Sequence, residues 1–148
     1  MKKQINFDMD GTIADLYGVE GWLTDLRNEN ARPYHDAKPM LNMSALARRL
    51  NKLQNSGYVL AVISWGSMDS SADYLETVRA EKLWWLNKHL PSVKWDKIEI
   101  VEYGSPKEAI GAGILFDDND AIRRAWVENE DNVAFDVDNI LEILKGLV

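Results

Sequence analysis

Asp8 and Asp10 stand one residue apart in Phe7-Asp8-Met9-Asp10-Gly11-Thr12, and two carboxylates at that spacing can divide a hydrolytic task. One can attack an electrophilic centre such as phosphorus while the other gives and takes protons, if their surroundings push their pKa values apart. Gly11 suits a turn of positive φ and the close approach of a ligand. The same residues also suit an Asx-type turn in which Asp10 or Thr12 caps a helix, and spacing alone leaves the two readings even. Ser64 ends one apolar run and the pair Asp117-Asp118 ends another. Lys107 follows the turn-forming Gly104-Ser105-Pro106. Its rivals Lys82 and Lys88 lie in a helical pattern, where a solvated lysine is the ordinary outcome.

Composition narrows the chemistry. The 148 residues contain no cysteine, which excludes thiol catalysis and thiolate metal sites, and only two histidines, so any metal is held by oxygen. The net charge of −7 argues against an extended nucleic-acid-binding face. It also means that an anionic substrate needs local neutralisation, which a bound cation supplies. With 46% hydrophobic residues, the chain reads as a single domain over 1–148 with its own core. Met1-Lys2-Lys3 is not followed by an apolar signal region, and no apolar run is long enough to span a membrane, so a soluble cytoplasmic protein is expected.

The elements that must position these residues alternate. Short apolar runs at Ile5–Asp8, Tyr58–Ser64, Gly113–Asp117 and Asn132–Asp136 read as strands, and Lys97–Val101 alternates apolar and polar residues as an edge or half-buried strand would. Helical patterns lie between them: Ala45–Gln54 with Ser44 as N-cap, Ser71–Leu90, Asn119–Glu128 and Asp138–Leu147. In the second of these, Tyr74, Leu75, Val78, Leu83, Leu86 and Leu90 are the apolar positions. Such alternation predicts an α/β fold, a three-layer α/β/α Rossmann-like domain around a parallel sheet of about five strands. Ligands of such sheets bind at the carboxyl ends of the strands, where Asp8, Ser64 and Asp117 fall. The stretch Asn28–Asn42 reads as irregular, within a small cap or lid segment over 16–43 inserted after the first strand.

Phe7-Asp-Met-Asp-Gly-Thr-Ile-Ala-Asp15 resembles the first signature of the haloacid dehalogenase superfamily in its phosphatase form. Ile63-Ser64, Lys107 and Phe116-Asp117-Asp118 are similar to the other three signatures, in the right order. Glu81-Lys82-Leu-Trp-Trp-Leu-Asn-Lys88-His-Leu90 further resembles the helix after the second signature of the 5′(3′)-deoxyribonucleotidases, which also place the signature lysine ten positions before the first acid of the last signature. The chain departs from those enzymes in its shorter cap and in Trp65, where a smaller residue is expected.

The resemblance implies a Mg²⁺-dependent phosphomonoesterase acting through an aspartyl-phosphate, with nucleotides or deoxynucleotides as the first substrate class. Asp8 would be the nucleophile and Asp10 the acid/base. Mg²⁺ would sit on the Asp8 carboxylate, the Asp10 carbonyl and Asp117, with Thr12 and Asp118 supporting from behind. Ser64, Lys107 and the N–H groups of Gly11 and Trp65 would bind phosphate. Competing readings are an open site acting on nucleic-acid ends, phosphoproteins or other small esters, and a catalytically inactive binding domain. A homo-oligomer is compatible with all of them.

Other residues have plainer readings. Asp138 reads as an N-cap, His35 as a surface residue of the lid, and His89 as a favourable partner of a helix C-terminus. Trp84, Trp85, Trp95 and Trp126 read as packing residues. Trp65, Trp22 and Tyr17 are candidates for stacking on a base.

Overall fold

The computed structural model describes residues 3–147, so the charged start at Met1-Lys2 lies outside the described residues. All five expected strands form, each within one residue of its predicted ends: β1 Gln4–Phe7, β4 Val59–Trp65, β5 Lys97–Val101, β6 Ile114–Phe116 and β7 Val133–Phe135. They make one parallel sheet in the order β5-β4-β1-β6-β7. The direction of travel reverses beside β1, so β1 and β6 flank the switch point of this α/β Rossmann-like fold.

Strand alternation sorts the sheet into two faces. Ile5, Leu60 and Ile114 share one row, and Phe7, Val62 and Phe116 the next, all at most 1% exposed. These rows pack against α3 (Met43–Asn55) through Leu46, Leu50 and Leu53, against α6 (Ile140–Lys145) through Ile140 and Leu144, and against Trp85 and Leu86 of α4 (Ala72–His89). The opposite face is covered more lightly, with Ile63 and Leu115 packed on Trp126 of α5 (Asp120–Trp126). Asn6 is buried on that face, and its amide donates to the carbonyls of Ala112 and Ile114, so its polar atoms are matched.

Several boundaries differ from expectation. The cap of α3 is Asn42 and not Ser44, because the Asn42 side chain accepts from the Ala45 N–H at 3.0 Å. Helix α6 starts at Ile140, after turn residues 138 and 139, so Asp138 does not cap it. Asn28–Asn42 is not irregular. It contains α2 (Arg32–Asp36) and β3 (Lys38–Pro39), which pairs antiparallel with β2 (Ala14–Asp15). With α1 (Trp22–Arg27), this segment lies against α4, held by Tyr74 Oη donating to the Asn30 carbonyl and by Trp85 Nε1 donating to the Ala37 carbonyl.

In α4 the buried stripe is Tyr74, Leu75, Val78, Lys82, Trp85 and Leu86, whereas Leu83 and Trp84 are exposed. Trp84 therefore packs on the surface, stacked on His35 at 3.8 Å between ring centroids. His89 is disfavoured in its charged form by burial and by Lys88, which weakens the expected dipole contact. Leu86→Ala is expected to cost about 2–5 kcal/mol in urea unfolding, and Leu83→Ala within about 0.5 kcal/mol. Equal costs would contradict the assignment of the buried stripe.

Candidate active site

The chain leaves β1 into a compact turn. The Met9 carbonyl accepts from the N–H groups of Thr12, Ile13 and Ala14, each at 3.0 Å. Gly11 takes φ +79°, and a Cβ there would lie 2.3 Å from Asp118 Oδ2 and 2.9 Å from the Tyr17 ring. Both the backbone angle and the space demand glycine. Its N–H donates to the Ala14 carbonyl at 2.9 Å, so the free donor expected for phosphate is committed inside the turn.

This turn holds Asp8 beside the end of β6, where the Asp8 N–H donates to the Phe116 carbonyl at 3.0 Å. Asp8 Oδ2 accepts from Thr12 Oγ1 at 3.0 Å, and Asp8 Oδ1 from Lys107 Nζ at 3.0 Å. Lys107 also donates to Asp117 Oδ2 at 2.7 Å, bridging the two strand ends. It rises from the 3-10 turn Lys107–Ala109 and is 2% exposed. Burial works against its charge, but Asp8 and Asp117 outweigh that, and its pKa lies above the ordinary lysine value.

Carboxylate oxygens of Asp8, Asp117 and Asp118 all lie within 4.8 Å of one another. Of the expected set of Asp8, the Asp10 carbonyl and Asp117, the two carboxylates are thus brought together, and Asp118, expected behind them, stands beside them. Burial and the Asp8 charge push Asp117 up to about 6, against the pull of Lys107. Burial, the Asp8 charge and a hydrogen bond to Asp8 push Asp118 up to about 7. The set is all oxygen and excessively negative, a donor chemistry that fits a hard divalent cation.

Asp10 is held separately, and by a residue that sequence reasoning assigned to solvent. Lys82 of α4 is 1% exposed and donates to Asp10 Oδ2 at 2.9 Å, Ser64 Oγ at 2.6 Å and the Trp65 carbonyl at 2.8 Å. Its place on the 74-75-78-82-85-86 stripe is the signal that could have revealed it: a lysine on the buried face of a helix needs partners there. Lys88 is exposed, as expected. Burial raises the Asp10 pKa most, Lys82 opposes it, and the Asp8 charge adds to the rise.

Asp8, Asp10, Lys107, Asp117 and Asp118 floor a cavity of about 550 Å³. Its walls include Tyr17 and Trp22, edge to face at 4.9 Å, and Trp65 and Tyr103, tilted at 4.9 Å. Trp65 contributes its ring, pinned by Nε1 donating to the Ser105 carbonyl at 2.7 Å. Among the described residues, no helix is long and apolar enough to cross a membrane.

No family model and no curated protein matches the sequence. Among solved structures, the chain is similar to D,D-heptose 1.7-bisphosphate phosphatase from B. bronchiseptica, complexed with magnesium and phosphate. The TM-score is 0.60 at 13% identity, over 100% of both chains, so the two share a fold.

The raised pKa values make cation binding pH-dependent. Asp117 and Asp118 hold protons more readily in the folded protein than in the unfolded chain, so their contribution to metal-free stability is present at acid pH and is lost as pH rises through about 6 and about 7. A divalent cation needs both deprotonated. Calorimetric Mg²⁺ titrations are expected to show affinity falling, and protons released per ion rising, from about pH 8 to about pH 5.5. A pH-independent affinity would contradict the crowding of these carboxylates.

Proposed function

We propose that the chain is a Mg²⁺-dependent phosphomonoester hydrolase with Asp8 as nucleophile, acting on nucleotides or deoxynucleotides. One observation carries the reading: the Asp8, Asp117 and Asp118 carboxylates converge beside Lys107 at the ends of two adjacent parallel strands. The four-signature resemblance and the fold shared with a magnesium- and phosphate-bound phosphatase support it.

Asp8 attacks phosphorus as the bond to the leaving oxygen breaks, and that oxygen takes its proton from Asp10. Asp10, now a carboxylate, takes a proton from water, whose oxygen attacks the aspartyl-phosphate. The bond from Asp8 to phosphorus breaks, phosphate departs, and both carboxyl groups return to their starting states. Lys107 neutralises charge on the transferring oxygens, and Lys82 fixes Asp10 and Ser64. Bound Mg²⁺, held by Asp8, Asp117, Asp118 and the Asp10 carbonyl, would offset the repulsion between the carboxylates and an anionic substrate.

The aromatic walls favour a flat leaving group, which a nucleoside supplies. A sugar phosphate, as in the name of the structural neighbour, is the competing substrate class. Phosphate release measured over nucleoside monophosphates and sugar phosphates is expected to need Mg²⁺, to favour nucleotides, and to fall about a thousandfold or more in Asp8→Asn. No release from any of these esters, or full activity in Asp8→Asn, would refute the reading. Trp22→Ala is expected to raise KM for nucleotides by about three- to tenfold while leaving sugar phosphates unaffected, since a lost stacking contact is worth about 0.5–1.5 kcal/mol. Equal effects on both classes would remove the stacking role.

A further inference from the structure

Lys82 carries a charge in the interior, and what covers it comes from a distant part of the chain. Its ammonium has three protons, and the three acceptors Asp10 Oδ2, Ser64 Oγ and the Trp65 carbonyl use all of them. Over it lies the ring of Tyr34 from α2, with its centroid 5.1 Å from Lys82 Nζ. Tyr34 is itself 4% exposed, and its hydroxyl sits 2.5 Å from Ser67 Oγ, in the loop that follows β4. Leu16, Tyr74 and Val78 pack around it.

We propose that Tyr34 is a positioning residue for the acid/base: by roofing the Lys82 ammonium, it excludes water from the Lys82–Asp10 pair and holds Asp10 in one orientation. This rests on the reading of Asp10 as proton donor. The ring face attracts the cation without accepting any of its hydrogen bonds, so all three stay on protein oxygens. Water in the place of the ring would compete for those protons and weaken the pair by raising the local dielectric. Lys82 grips Oδ2, which leaves Oδ1 as the Asp10 oxygen able to carry the proton. The hydroxyl–Ser67 contact ties the 32–36 helix to the loop beside the cavity.

The consequence differs between leaving groups. When an alkyl phosphate is cleaved, the P–O electron pair departs on a basic oxygen that needs the Asp10 proton. p-Nitrophenolate is stable as an anion and needs none. In the full chain with Mg²⁺, kcat/KM reports transfer to Asp8 before the shared hydrolysis step, and Tyr34→Leu is expected to lower it on an alkyl phosphate by about ten- to a hundredfold, against at most about threefold on p-nitrophenyl phosphate. Tyr34→Phe keeps the ring and is expected to stay within about threefold on both. Equal losses on the two esters in Tyr34→Leu, or no loss on either, would overturn the proposal. Tyr34→Met, without a π face, carries the same expectation if the leucine variant fails to fold.

A second readout does not depend on turnover. In ¹⁵N spectra of the lysine ammonium groups, Lys82 is expected to give a signal protected from solvent exchange in the wild type and in Tyr34→Phe. That signal is expected to disappear in Tyr34→Leu, and its persistence there would overturn the proposal. A wild type that cleaves neither ester would refute the phosphatase reading, and the ammonium spectra alone would then decide the role of Tyr34.

Discussion

Crowding of negative charge at the sheet's switch point governs this structure. Asp8, Asp117 and Asp118 place carboxylate oxygens within 4.8 Å of one another. At an effective dielectric near 20, each like-charged pair at that distance costs roughly 3 kcal/mol. The chain's own groups relieve the repulsion in two ways. Lys107 lies between Asp8 and Asp117, and protons are retained on Asp117 and Asp118 to an unusually high pH. A bound divalent cation would offset the same repulsion. The strands that deliver these acids are fully buried: Ile5 and Phe7 of β1 face the apolar core, and Gln4 and Asn6 on its other face are hydrogen-bonded.

Two buried lysines divide the work. Lys107 serves Asp8 and Asp117, on the side where charge must be concentrated and then neutralised. Lys82 serves Asp10, Ser64 and the Trp65 carbonyl, on the side of the proposed acid/base. On the proposed roles the separation matters, because Asp8 and Asp10 then need opposite treatment. A nucleophile must stay ionised, whereas a proton donor must hold its proton until the leaving group takes it. Burial raises Asp10 and Lys82 opposes the rise, so its proton affinity is a balance and not an extreme.

Much of this was legible in the sequence, for physical reasons. The buried strands β4 and β6 are continuous apolar runs and the edge strand β5 alternates apolar with polar residues, so these strands were visible, and the acids ending β1 and β6 marked the sheet edge that binds ligands. Lys107 could be ranked because a glycine-proline turn delivers it. Lys82 was hidden because a charged residue on a helix is ordinarily solvated, and only its position on the buried stripe says otherwise. The segment 28–42 was hidden because α2 has only 5 residues and β3 only 2, too short for any periodicity. The engagement of the Gly11 N–H by Ala14, and the approach of Asp118 to Asp8, depend on how one turn closes. Residue types alone carry no trace of either.

The central claim is that Asp8 attacks phosphorus. Acid-quenched turnover of a nucleoside monophosphate with Mg²⁺, followed by peptide mass spectrometry, tests it most directly. A phosphoryl group is expected on the peptide containing Asp8, accumulating further in Asp10→Asn with an activated ester, because hydrolysis of the intermediate then lacks its base. Turnover with no phosphorylated peptide, or with the phosphoryl group on another residue, would contradict it.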